Sequence, residues 1–263
     1  MTPAPTSVRR LYVMLCGYEI IPYAISLRGA DPRLVIAVPI TAYLMDTDAG
    51  WVLFDTGLDE ANLRDPARLQ ELYLDTGWDP APVVKPHHEL GAQLAQIGIG
   101  FGDISTVILS HLHADHTGHL KHMPQARVVI QKAEHAYAGD DLLPPAVFPS
   151  DFRDHDTRWH IIEGDTPIQP GLTAIFTPGH TPGHMSLRVD LPDTGAVVLT
   201  ADVGDLAETF SDEVLPGSTV DDDQAMGSIR RINAEVAETG ALMLMTHDPD
   251  QPRHIRLFPD SYT

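Results

Sequence analysis

Cysteine is nearly absent: Cys16 is the single one in 263 residues. An internal disulfide framework is therefore excluded, and Cys16, on a short apolar run, reads as a small core residue rather than a nucleophile. Basic residues are scarce too, 17 Lys and Arg against 37 Asp and Glu, for a formal net charge of −20 with histidine neutral. Surfaces that bind nucleic acid are basic, and anionic membranes attract basic segments, so neither partner is expected. No stretch approaches the ~20 consecutive apolar residues of a membrane span. Arg9 and Arg10 precede a short apolar run, but Gly17, Tyr18 and Glu19 interrupt it too early for a signal-peptide core, and a cytoplasmic protein is expected. What is present is ordinary for a folded chain: 43% hydrophobic and 21% charged residues, too apolar for disorder. No linker, composition break or short-period repeat divides the sequence, so residues 1–263 are expected to form one domain.

Short apolar runs punctuated by Gly, Pro and Asp dominate the beginning. Leu11–Cys16, Val35–Leu44 and Trp51–Asp55 have the composition of strands, and Asp48-Ala49-Gly50 marks a hairpin turn between the last two. Residues 58–88 have weak periodicity and read as a long loop or lid with a helical piece. Such a segment either covers a cleft or pairs two subunits, so monomer and homodimer both stay open. Leu90, Leu94 and Ile97 predict a helix over 88–97, stopped at Gly98. Ser105–Ser110, Arg127–Gln131, Trp159–Glu163, Leu172–Thr177, Ser186–Val189, Ala196–Thr200 and Ala241–Thr246 read as further strands, Lys132–Tyr137 as a short helix and 139–157 as a loop. Ala225, Ile229, Ile232 and Val236 describe an amphipathic helix, with Asp221, Asp222 and Asp223 at its N-terminus and Gly240 closing it. The class is α/β.

Histidine is abundant, with 14 in the chain. His111-Leu112-His113-Ala114-Asp115-His116 packs three imidazoles and a carboxylate into six residues just after a buried strand. Imidazole suits zinc and related metals, and carboxylate adds an anionic ligand. On an extended segment His111 and His113 point the same way, while after a turn Asp115 and His116 face another point. The spacing suits two adjacent metal sites better than one. Further ligand types stand at strand ends downstream: His180 in Thr177-Pro178-Gly179-His180, Asp202 in Thr200-Ala201-Asp202, and His247 in Thr246-His247-Asp248.

HLHADH, TPGHTPGH, TADVGD and the late THD, with Asp55-Thr56-Gly57 as an early strand-end turn, resemble the metallo-β-lactamase superfamily over residues 51–248. Within it the chain is most similar to the quorum-quenching N-acyl-homoserine lactonases, a likeness that extends to LYVMLCGYEI near the start and LFPD near the end. The resemblance implies a four-layer αβ/βα sandwich with metals in a cleft between two sheets. It implies two divalent ions, zinc foremost, with His111, His113 and His180 on the first, Asp115, His116 and His247 on the second, and Asp202 bridging both. His184 is then expected to orient a ligand or serve the fold. Nine histidines remain without a role forced by spacing; among them His87, His88 and His119 are candidates to approach the cleft.

The implied reaction is ring opening of a small lactone. Two metals about 3.5–4 Å apart clamp a water, whose pKa a zinc ion lowers to about 7. The resulting bridging hydroxide attacks the lactone carbonyl, and Asp115 passes a proton to the leaving alkoxide. Two departures from the family stand out. Many members carry tyrosine three residues after the bridging Asp, where this chain has Asp205; a carboxyl group donates a hydrogen bond only when protonated. Tyr18, Tyr23 and Tyr73 are the candidates for a replacement donor. Ala114 stands where bulky apolar residues are frequent, which suggests a wider pocket. Asp205 keeps other lactones or carboxylic esters in play as substrates. A glyoxalase II-like thioesterase is less expected, because only 16 residues follow His247.

Overall fold

The computed structural model describes residues 7–139, 143–153 and 155–263. Parts of the expected 139–157 loop, residues 140–142 and 154, lie outside the described residues.

Eleven strands among the described residues form two mixed sheets. The first runs β1 (Val8–Pro22), β2 (Val35–Thr47), β3 (Gly50–Phe54), β4 (Ile104–Ile108), β5 (Arg127–Gln131) and β6 (Arg158–Ile162), in that spatial order. The pairs β1·β2 and β2·β3 are antiparallel; β3 through β6 are parallel. The second sheet holds β7 (Thr166–Gln169), β8 (Leu172–Phe176), β9 (Met185–Leu191), β10 (Gly195–Leu199) and β11 (Leu242–Leu244), ordered 11-10-9-8-7. It is antiparallel except for β10·β11. Helices in chain order are α1 (Tyr23–Ser26), α2 (Glu60–Arg64), α3 (Pro66–Leu69), α4 (Leu90–Gln96), α5 (Ala114–Thr117), α6 (Lys132–Tyr137), α7 (Ala207–Ser211) and α8 (Asp222–Thr239).

The period-2 alternation of side chains along a strand decides the layering. On β1, Leu11 and Val13 join Tyr43, Phe54, Leu187 and Leu199 in the apolar layer between the sheets. Their neighbours Tyr12 and Met14 face the other way, into a layer shared with Leu90 and Leu94 of α4. Ile229 and Ile232 of α8 pack on Val198 and Phe210 outside the second sheet. Helix, sheet, sheet, helix is the expected four-layer αβ/βα sandwich. Among the described residues no helix is long and apolar enough to cross a membrane.

Several elements exceed or escape the sequence reading. β1 continues beyond Cys16 to Pro22, through a register shift between Leu15 and Gly17. The long 58–88 segment contains α2, α3 and a π-helical turn over Gln70–Leu74, with Asp59 and Asp65 accepting backbone N–H bonds at the helix starts. β7 was not expected; it is a four-residue edge strand containing Pro167, and the ring removes a ladder donor. The hairpin is as anticipated, with Thr47 opposite Gly50. So is α8, which ends at Gly240 in the left-handed conformation, φ 67°.

Candidate metal centre

Each ligand-type side chain sits just past the end of a strand. β4 ends at Ile108 and leads through Ser110 to His111 and His113, and Asp115 and His116 then fall in the single turn of α5. His180 follows β8, Asp202 follows β10 and His247 follows β11. The structure brings all seven expected residues together, in two groups. Donor atoms of His111, His113, His180 and Asp202 lie within 4.8 Å of one another, and so do those of Asp115, His116 and His247. Asp202 joins the groups. Its Oδ2 is 3.3 Å from His180 Nε2 and 3.6 Å from His111 Nε2, while its Oδ1 is 3.2 Å from His247 Nε2 and 3.3 Å from His116 Nε2. Asp115 Oδ2 is 3.0 Å from His116 Nε2 and 3.4 Å from His247 Nε2.

The outward ring nitrogens are fixed by hydrogen bonds, which sets the tautomers. His180 Nδ1–H donates to the Ser218 carbonyl at 2.9 Å and His247 Nδ1–H to the Pro39 carbonyl at 2.8 Å. His116 Nδ1–H donates to Asp55 Oδ2 at 2.8 Å. Ser110 Oγ donates to the same oxygen at 2.8 Å and so accepts from His111 Nδ1 at 2.9 Å. In all four rings Nε2 is left facing inward with its lone pair, as a metal requires. His113 presents Nδ1 instead, 2.9 Å from His111 Nε2 and 3.0 Å from His180 Nε2.

His184 takes another part. Its Nδ1–H donates to the Thr177 carbonyl at 3.0 Å, and its Nε2 accepts the backbone N–H of Asp202 at 3.0 Å. It orients the loop that carries Asp202 and stands outside the donor clusters.

Electrostatics follow from crowding buried charges. Burial works against the charged forms of His116 and His247, but Asp115 and Asp202, together with Asp55 for His116 and Asp205 for His247, outweigh it and hold both imidazoles well above their ordinary range. Burial likewise opposes the Asp202 carboxylate, yet His116, His247 and His111 hold it well below the usual carboxylate range. Burial, then His116, pushes His111 well down, and burial, then His180, pushes His113 down to about 3. The carboxylates thus demand compensating positive charge.

Two supporting residues were missed in the sequence. Asp55 was read only as part of a turn. It is fully buried, holds His116 and Ser110, and adopts φ 59°, a left-handed conformation uncommon outside glycine. Ala201, next to Asp202, is likewise at φ 46°. Strained backbone of this kind persists where the surroundings over-determine it, and it clusters at functional sites. Glu134 of α6 accepts from Leu112 N–H at 3.0 Å, Gly183 N–H at 2.9 Å and Thr181 Oγ1 at 2.8 Å. It ties the HLHADH loop to the TPGHTPGH loop. Gly183 permits the approach, since a Cβ there would stand 2.1 Å from Glu134 N.

Above the donors lies a cavity of about 450 Å³, lined by apolar side chains including Ile20, Ile25, Val38 and Trp78 and by His113, Asp115, His180, Asp202 and His247. Thr76, Gly77, Trp78 and Asp79 line it too, so the far part of the 58–88 segment covers the cleft. Asp205 lines the cavity and is buried; burial pushes its carboxyl up, His247 pulls it down, and Asp202 raises it. None of Tyr18, Tyr23 and Tyr73 lines it. Tyr73 is fully buried against Trp78 and Phe148, and Tyr18 packs its edge on His88. Tyr18 and Tyr73 are thus engaged away from the cavity. Ala114 is buried in the outer apolar layer and does not widen this cavity. His87, His88 and His119 do not line it either; His119 is bonded to Thr56 and Glu60.

A family model for the metallo-β-lactamase superfamily matches residues 35–247. The chain is 27% identical over 256 residues to the N-acyl homoserine lactonase AiiA of Bacillus thuringiensis subsp. kurstaki, covering 97% of this chain and 99% of that protein. It is 30% identical over 245 residues to the N-acyl homoserine lactonase AttM of Azorhizobium caulinodans, covering 89% of each. Among solved structures it superposes with a TM-score of 0.85, at 26% identity and over 98% of this chain and 100% of the other, on an N-acyl homoserine lactone hydrolase with the product N-hexanoyl-L-homoserine bound at its catalytic metal center.

Proposed function

The chain belongs to the metallo-β-lactamase superfamily, and from that premise we propose that it is a dinuclear-metal lactonase that opens the ring of N-acyl-homoserine lactones. The observation that carries the reading is the division of Asp202, one oxygen toward His111 and His180, the other toward His116 and His247. In this reading His111, His113 and His180 hold one metal, Asp115, His116 and His247 the other, and Asp202 both. The donor chemistry fits. His116 Nε2 and Asp202 Oδ1 are buried with no hydrogen-bond partner among the described residues, and buried polar atoms left so are costly unless something binds them. Imidazole and carboxylate together suit zinc.

Two divalent ions supply a deprotonated water at neutral pH and positive charge where the carbonyl oxygen becomes an oxyanion. The protein's own groups do the rest. Asp115, which lines the cavity, takes up a proton on the oxygen other than the Oδ2 that faces His116 and His247, and returns it to the ring oxygen as the acyl C–O bond breaks, so that water is added across that bond. The product is N-acyl-homoserine, a carboxylate and an alcohol. Asp205 faces the substrate from the wall; burial favours its protonated form, which donates a hydrogen bond to the lactone carbonyl. The apolar wall formed by Ile20, Ile25, Val38 and Trp78 receives the acyl chain and excludes water.

A substrate panel tests this. Acyl-homoserine lactones, simple γ- and δ-lactones, a thioester and a β-lactam are offered to the zinc-loaded protein. Preferred opening of the acylated lactones is expected. Activity confined to simple lactones or esters moves the substrate elsewhere and keeps the site; activity on the thioester or the β-lactam alone overturns the lactonase reading.

A further inference from the structure

Glu19 is a buried polar residue of the cavity with no part in the reaction above. It lies in β1, opposite Val38 of β2, and is 8% exposed. Its side chain lines the cavity, and its electrostatic neighbours are Asp115, His247, Asp202 and His116. Three other buried carboxyl groups are tied down: Asp55 to Ser110 and His116, Glu134 to three donors, Asp151 to Lys121. The Glu19 carboxyl makes no hydrogen bond or ion pair with a described residue. A buried carboxyl without a partner is unfavourable, and here its open side is the ligand cavity.

The chemistry of the wall narrows what would meet it. Among the described residues that line the cavity there is no Lys, Arg, Asn, Gln or Tyr. Beyond the five clustered ligands that line it, its polar side chains are Glu19, Asp79 and Asp205, the hydroxyls of Thr76 and Ser218, and Trp78, whose indole N–H has no partner among the described residues. Away from the ligand clusters such a wall is dominated by acceptors and favours hydrogen-bond donors.

Resting on the lactonase reading, we propose that Glu19 is a specificity-determining residue whose carboxyl oxygen accepts a hydrogen bond from a donor beside the scissile carbonyl, the amide N–H of an acylated lactone. An ionised or a protonated carboxyl keeps an oxygen lone pair, so the role holds in either state. A site built to pair a substrate donor rejects analogues that lack it, because its own buried group is then left unpaired. Plain lactones, which offer no such donor, are thereby disfavoured.

Two variants separate acceptor from charge: Glu19→Gln keeps a carbonyl oxygen, and Glu19→Met keeps length and loses the acceptor. With zinc-loaded protein, N-hexanoyl-homoserine lactone is compared with α-hexyl-γ-butyrolactone, which lacks the amide. Glu19→Met is expected to lose about 10- to 100-fold in kcat/KM on the amide lactone, mainly through KM, with the alkyl lactone unchanged and Glu19→Gln close to wild type. Equal losses on both substrates, or none on the amide lactone, overturn the proposal. A binding measurement frees the test from turnover. By calorimetry, wild type and Glu19→Gln should bind N-cyclopentylhexanamide about tenfold more tightly than its N-methyl derivative, and Glu19→Met should bind the two alike. A wild-type protein that shows this preference yet opens no lactone retains the donor subsite and refutes the lactonase reading. One that opens lactones without the preference refutes the subsite alone.

Discussion

Asp55 Oδ2 and His116 Nδ1 meet at 2.8 Å with both side chains fully buried. The contact fixes the tautomer of His116 and turns its Nε2 toward Asp115 and Asp202. Partners of this kind raise ligand basicity, and their loss costs roughly 10- to 100-fold in metal affinity. Asp55→Ala should therefore weaken one of two metals by about that factor and leave the other close to wild type. Competition with a chromogenic chelator resolves the two affinities. Unchanged affinities for both would refute the assigned role.

His180 and His184 stand four residues apart in TPGHTPGH and should behave differently. His180→Ala removes a donor and is expected to lower the zinc content of dialysed protein from two per chain toward one. His184→Ala should keep two metals and lose stability instead, by about 1–3 kcal/mol, since the Asp202 N–H and the Thr177 carbonyl lose their partner. Metal analysis of both variants, with urea unfolding, checks the distinction. Metal loss in His184→Ala with both metals kept in His180→Ala would reverse the assignment.

The difference between those two histidines shows what a sequence can carry. Ligands cluster in short segments after apolar strands, so HLHADH, His180, Asp202 and His247 stand out by residue type and place. Helix α8 is legible because its apolar spacing, acidic N-terminus and Gly240 all agree. Glu134 is not legible: a lone Glu in a short helix gives no sign that it gathers donors from Leu112 and, about fifty residues further on, Thr181 and Gly183. Glu19 is hidden for the opposite reason. A charged residue in an apolar run reads as the end of the strand, whereas β1 carries it on to Pro22 with the carboxyl in the cavity. Tyr73 misleads because an aromatic hydroxyl suggests a donor, and only the packing shows it sealed against Trp78 and Phe148.

Removing the metals should make stability pH-dependent. In the metal-free protein His116 and His247 titrate well above 6.5, because the surrounding carboxylates outweigh burial. A raised histidine adds stability that is fully present below about pH 6.5 and lost as pH climbs through the folded value. The lowered Asp202 acts in the opposite sense and only in acid, below its ordinary range. The Tm of chelated protein should fall from pH 6.5 upward, and zinc should restore it with a gain that grows with pH, about 3–4 kcal/mol at 100 to 1,000 times Kd. A zinc gain independent of pH would contradict this.

Glu134 adds a second pH effect. Burial pushes its carboxyl up to about 7 from 4.5, against three hydrogen bonds that pull it down. Its stabilising contribution is complete below pH 4.5 and is lost as pH rises to about 7, by roughly 3 kcal/mol. Replacement by Gln, which does not titrate, should flatten the stability profile of metal-free protein over that window. Replacement by Ala leaves three buried donors unpaired and should cost about 3 kcal/mol or more at any pH. Urea unfolding at pH 4.5, 5.5 and 7 reads both. Equal slopes in wild type and Glu134→Gln would show that Glu134 does not titrate there.

The central claim is that Asp202 organises two metals for ring opening, and proton release tests it most directly. Zinc-loaded wild type and Asp202→Asn are each mixed with N-hexanoyl-homoserine lactone in weak buffer, and acid production is followed with a pH-stat. Rapid release of one proton per lactone by wild type is predicted, with release by Asp202→Asn reduced by several orders of magnitude. No release by a wild type carrying two metals, or equal release by both proteins, would contradict the account.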